Sequence, residues 1–93
     1  MDYTPNITPE MRARYITRRE SDLNLLESAL ETKDFETVLK ISHQIKGNAA
    51  TFNFNTLEKA AIDLEKAAEQ KNQAEAYLAL GAFRDWLSNA KQS

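Results

Sequence analysis

The sequence predicts an all-α protein folded as an antiparallel up-down-up-down four-helix bundle. Three observations carry this. Four segments place apolar residues at helical spacing, and none shows the alternation of a strand. The segments open on helix-start signals. The breaks between them are only a few residues long, which makes sequence neighbours antiparallel neighbours in space. The 93 residues fit a single domain, 1–93, in which 1–7 form a short N-terminal tail behind a natural start at Met1. An apolar fraction of 42% supplies one core, and 28% charged residues is ordinary for a surface.

Thr8-Pro9-Glu10 opens the first helix, expected over about 9–32: a hydroxyl cap, proline at the first helical position and an acid in the first turn. Tyr15, Ile16, Leu23, Leu26 and Leu30 recur along it at helical spacing. Arg12, Arg14, Arg18 and Arg19 cluster in its first half and read as a solvated face, with partner docking as the alternative. Asp34 is a good N-cap for the second helix, about 35–52, and Glu36 suits its positive terminus. Asn53-Phe54-Asn55 is the next break, where Asn53 can adopt the left-handed conformation that ends many helices. Asn55 with Glu58 three residues on reads as a capping box for the third helix, about 56–70. Leu57, Ala61, Leu64 and Ala68 give that helix a stripe narrow enough for close helix approach. Asn72 and Glu75 repeat the cap-plus-acid spacing before the fourth helix, about 73–90. Its apolar side holds Ala76, Leu80, Phe83, Leu87 and Ala90, flanked by Trp86 and Tyr77 as core edge.

Composition narrows function. With no cysteine there is no disulfide, thiolate nucleophile or cysteine metal site, which fits a reducing, cytoplasmic setting. A single histidine excludes a multi-histidine zinc site within one chain. The net charge of −2 supplies no global field for nucleic acid. No apolar run is long enough for a transmembrane span or signal peptide.

The informative stretch is Ser42-His43-Gln44-Ile45-Lys46-Gly47-Asn48-Ala49-Ala50, inside the second helix. His43, Lys46, Gly47 and Ala50 share one side, because positions three and four apart stack on a helix. Val38, Ile45, Ala49 and Phe52 point about 130° away at 100° per residue, so His43 should face solvent. Gly47 sits in mid-helix, where glycine costs about 1 kcal/mol relative to alanine. Two reasons for it stay open: close packing of another helix, or clearance for another molecule approaching the imidazole. A neutral imidazole carries an unprotonated nitrogen that can attack phosphorus. Phosphoryl transfer then needs in-line access and cations for the equatorial oxygens, for which Lys46 and, on the other side, Lys40 are the candidates. The sequence places no acidic or hydroxyl partner beside His43, which argues against a hydrolase-type relay and an autonomous enzyme.

His43-x-x-Lys46-Gly47, followed by Ala49-Ala50, Phe52, Leu57 and Leu64-Glu65, resembles the motif of histidine-phosphotransfer (HPt) domains. The resemblance covers the second and third helices and extends loosely to the first through Asp22-Leu23, Leu26, Ala29-Leu30 and Asp34. Two positions depart from it: the family usually has a small serine or alanine at Asn48 and a glycine at Asn53. The resemblance implies a phosphorelay intermediate that accepts a phosphoryl group from an aspartyl-phosphate on a receiver domain and passes it to another receiver. It makes His43 the phosphorylated residue, Lys46 the charge partner and Gly47 the clearance position. Small or apolar groups around His43, Ala50 among them, form the docking surface, with Lys40 as a further partner-binding candidate. The chain itself would take no cofactor or metal, Mg2+ being expected on the receiver. A chain this short is expected to meet response-regulator receivers and a hybrid sensor kinase in trans, as a monomer, away from nucleic acid and membrane. The rival reading is a helical adaptor that binds a partner protein without phosphotransfer. A DNA-binding helix around Arg12–Arg19 is disfavoured, because those arginines are interleaved with core positions and no helix-turn-helix glycine turn follows.

Overall fold

The computed structural model describes residues 7–92, which form α1 (Pro9–Glu31), α2 (Phe35–Thr51), α3 (Asn55–Glu69) and α4 (Gln73–Gln92). Helix ends fall within one or two residues of those predicted. Of the expected tail, residues 1–6 lie outside the described residues. α1 and α3 each pack against both α2 and α4, while the diagonal pairs are not neighbours, so the four helices stand at the corners of a bundle. No strand occurs among the described residues.

The three connections repeat one device. The chain leaves each helix through Lys33, Asn53 or Lys71, all left-handed at φ 56°, 62° and 53°. The next residue's N–H then reaches back to a carbonyl of the last turn: Asp34 to Ala29 at 2.8 Å, Phe54 to Ala49 at 2.9 Å and Asn72 to Ala67 at 2.8 Å. This is the Schellman arrangement, which satisfies carbonyls that the helix end leaves open. That same residue starts the following helix. Asp34 Oδ1 accepts from the Thr37 N–H at 3.2 Å, and Asn72 Oδ1 from the Glu75 N–H at 3.1 Å. The hydroxyl of Thr37 also donates to Asp34, and these bonds hold the Asp34 carboxyl below its ordinary value. The third start differs from expectation. Phe54, not Asn55, is the cap residue of α3, no side chain caps it, and Asn55 is already helical. The Schellman turn takes Phe54 as its closing residue, and that shifts the start by one.

The core holds most of the predicted apolar residues, with Leu23 and Phe52 only partly buried at its edge and Ile41 added to it. Leu26 and Leu30 of α1, Val38, Ile45 and Ala49 of α2, Leu57, Ala61 and Leu64 of α3, and Leu80 and Phe83 of α4 are buried. Each large side chain so buried contributes about 1.5–3 kcal/mol. Ser42 is buried too, and its hydroxyl is satisfied within α2 by donating to the Val38 carbonyl at 2.7 Å. At one end of the bundle Tyr15, Phe52, Phe54 and Trp86 pack edge to face or tilted, with centroids 5.1–6.1 Å apart. Trp86 is thus core edge as expected, whereas Tyr77 is 42% exposed. Asn48 has a packing role of its own: its Oδ1 accepts from the Tyr15 hydroxyl at 2.6 Å and ties α2 to α1. Burial raises the phenol's pKa.

Candidate functional site

α2 and α3 form the closest pair in the bundle, because α3 presents Ala60, Ala61, Ala67 and Ala68 to its neighbours, and small residues let helices approach. Their hairpin turns at Phe54. His43 lies eleven residues before it and Glu65 eleven after, so an antiparallel pair sets them at one height. Leu64 points into the core and Glu65, 100° further round, points toward α2.

The His43 side chain is 69% exposed and stands on the outer side of α2, as the apolar pattern predicts. Lys40, Gly47 and Ala50 are exposed around it, and Lys46 is half-buried toward α3. A Cβ built on Gly47 meets no atom within 4 Å. Of the two reasons left open for this glycine, close helix packing is therefore excluded and open space beside the imidazole remains.

His43 does have an acidic partner, contrary to the sequence reading. Glu65 Oε2 lies 2.8 Å from His43 Nδ1, and Glu65 Oε1 accepts from Lys46 Nζ at 2.8 Å. One carboxylate, only 16% exposed, thus bridges the histidine and the lysine. Hydrogen bonding by Lys46, more than by His43, holds the Glu65 carboxyl below its ordinary value of 4.5, so it is ionised at neutral pH. An ionised carboxylate only accepts hydrogen bonds. The Nδ1 atom must then carry the proton, and in the neutral ring Nε2 is left with the free lone pair. The side chain that fixes the tautomer lies 22 residues away on another helix. No spacing rule within one helix finds it; the height match about the turn at Phe54 is the signal that could have.

Among the described residues no group of three or more histidine or acidic side chains could hold a metal ion. No helix there is long and apolar enough to cross a membrane.

The bundle and the oriented, open imidazole define a four-helix domain with one exposed histidine on its second helix. The chain belongs to the Hpt domain family, whose model matches residues 10–93. Domains of this family act in histidine phosphotransfer within phosphorelays and interact with receiver domains. No curated protein and no solved structure matches the chain.

Proposed function

We propose that this domain is a phosphorelay intermediate in which His43 Nε2 accepts a phosphoryl group from the aspartyl-phosphate of one receiver domain and delivers it to another. The Nε2 lone pair attacks phosphorus, the N–P bond forms, and the P–O bond to the receiver's aspartate breaks, releasing the carboxylate. Delivery runs the same steps in reverse on the second receiver. The observation that supports this most is the Glu65 bond to Nδ1, which turns the unprotonated nitrogen outward onto a face left open by Gly47. Positive charge grows on the ring as N–P bonding proceeds, and the Glu65 carboxylate is placed to stabilise it. Lys46, tethered by the same carboxylate, keeps a cation one turn from the imidazole. Mg2+ belongs to the receiver's own acidic pocket in this reading, and Ala50 and Lys40 belong to the surface it covers.

The test is incubation with receiver domains of the same organism that have been phosphorylated with labelled acetyl phosphate and Mg2+. Label that is acid-labile and base-stable should appear on the wild-type chain and be absent from His43→Gln. An unlabelled wild type, or equal label on His43→Gln, overturns the proposal, and a partner that binds both forms equally well would establish the adaptor reading instead.

A further inference from the structure

α1 carries its positive charge in its N-terminal half. Arg12, Arg14, Arg18 and Arg19 occupy its first half, while Glu31 stands in the last turn, which holds no basic residue. The helix dipole disfavours Glu31 there, whereas the first turn holds the acid Glu10 that the dipole favours. Arg19 has a structural use. It is buried, donates from Nε to Asp22 at 2.8 Å and lies 4.6 Å over the Tyr15 ring. Arg14 and Arg18 are exposed and have no carboxylate partner among the described residues.

These two rim a groove of about 330 Å³ between α1 and the C-terminal half of α2. Tyr15, Asn48 and Phe52 floor it, and Met11, 44% exposed, stands on its edge. Its lining contains arginines and no carboxylate. The hollow between α3 and α4 differs, because Lys66 is there matched by Asp63 and Glu75. The α1–α2 groove is therefore a cationic concavity with an apolar floor; a second hollow, between α1 and α4, holds Arg12 and Lys91, of which Lys91 is paired with Glu20. Asn48 is five residues from His43, about 7.5 Å along α2 and about 140° round it, with exposed Gly47 at about 40° between them. A protein domain about 30 Å across that docks on His43 reaches this groove where it extends over the α1 side of α2.

We propose that Arg14 and Arg18 are specificity-determining residues that select receivers carrying an acidic surface beside their phosphorylated aspartate, with an apolar side chain of that surface seated against Met11, Tyr15 and Phe52. The proposal rests on the phosphotransfer reading of His43. Exposed charges of this kind act mainly on encounter and orientation, so the selection is expressed in association and weakens with salt.

The test compares the wild-type chain with Arg14→Glu/Arg18→Glu and Arg14→Lys/Arg18→Lys, each checked for unchanged helicity. The donors are two acetyl-phosphate-loaded receiver domains of the same organism, one acidic around its aspartate and one neutral there. The wild type should take phosphate faster from the acidic receiver, with a rate that falls between low and high salt. The glutamate pair should lose about tenfold with that receiver, lose the salt dependence, and match the wild type with the neutral receiver and at saturating donor. The lysine pair should stay near wild type. Equal rates for wild type and glutamate pair with both receivers overturn this proposal and leave His43 as the phosphate acceptor. Equal losses with both receivers also overturn it. Binding of duplex DNA or anionic vesicles that the glutamate pair removes, with receiver transfer intact, would assign the arginines to another ligand. A wild type labelled by neither receiver removes the phosphotransfer reading and this proposal together.

Discussion

The chain has two glycines, and both sit inside helices with nothing within 4 Å of where a Cβ would be. Local physics treats Gly47 of α2 and Gly81 of α4 alike: each costs its helix about 1 kcal/mol relative to alanine, and neither lets a neighbour pack closer. They differ in what surrounds them. Beside Gly47 stand the 69%-exposed His43, Lys46 and, brought across by α3, Glu65. One turn from Gly81 stand Tyr77, Leu78, Arg84 and Asp85, with Leu78 70% exposed and Arg84 paired to Glu27. An open glycine is thus not a site in itself. In the proposed function it becomes one where the imidazole, oriented by a second helix, shares the opening.

The sharpest way to break this comparison is to fill both openings. Gly47→Gln should lower transfer from a phosphorylated receiver by about 100-fold, because a side chain about 6 Å along the helix from His43 displaces the incoming aspartyl-phosphate. Gly81→Gln should leave transfer unchanged. Equal losses in the two variants would show that helix substitution, not access to His43, sets the rate.

The next effect concerns the carboxylate that makes the Gly47 side different. Glu65→Ala removes the partner of Nδ1 and should slow transfer about tenfold, less than removing a group that itself moves a proton. Glu65→Gln keeps an oxygen to accept from Nδ1 and should lie nearer the wild type. Because the carboxyl's pKa is lowered in the folded chain, its bridge stabilises the fold fully above the ordinary value of 4.5 and loses that contribution as pH falls through the lowered value. The stability difference between wild type and Glu65→Ala in urea titrations should therefore shrink as pH falls below about 4.5 through the lowered value. A difference that does not shrink as pH falls through that range would contradict the bridge.

The smallest effect should not separate the two glycines at all. Gly47→Ala and Gly81→Ala should each raise stability by about 0.5–1 kcal/mol, since a methyl meets no atom at either place. A loss at Gly47 alone, read from thermal or urea unfolding, would revive the packing explanation for that residue.

Most of the fold was legible in the sequence, because it rests on local signals. Thr8, Asp34 and Asn72 cap where their type predicts, Asn53 is left-handed, and the apolar stripes of α3 and α4 are buried as spaced. Lys33 and Lys71 escaped notice as left-handed residues, since lysine carries none of the conformational preference that asparagine shows. The start of α3 was misread for a related reason: the preceding turn, not the asparagine side chain, decides it. On the site, the exposure of His43 and its grouping with Gly47 followed from one helix's angular pattern. Glu65 did not, because its closeness to His43 depends on how α2 and α3 align. The arginines of α1 read uniformly as surface, yet Arg19 is buried by its contacts with Asp22 and Tyr15. Lone charges along a helix cannot announce which of them a neighbour will use.

The central claim is that Glu65 holds the Nδ1 proton of His43 and leaves Nε2 to take the phosphoryl group. Nitrogen-15 NMR of the single histidine tests it directly, before and after incubation with a phosphorylated receiver. The expected result is the Nδ1-protonated tautomer in the free protein and phosphorus bonded to Nε2 after transfer, with the Nδ1 preference lost in Glu65→Ala. A free ring protonated at Nε2, or phosphate found on Nδ1, would contradict it.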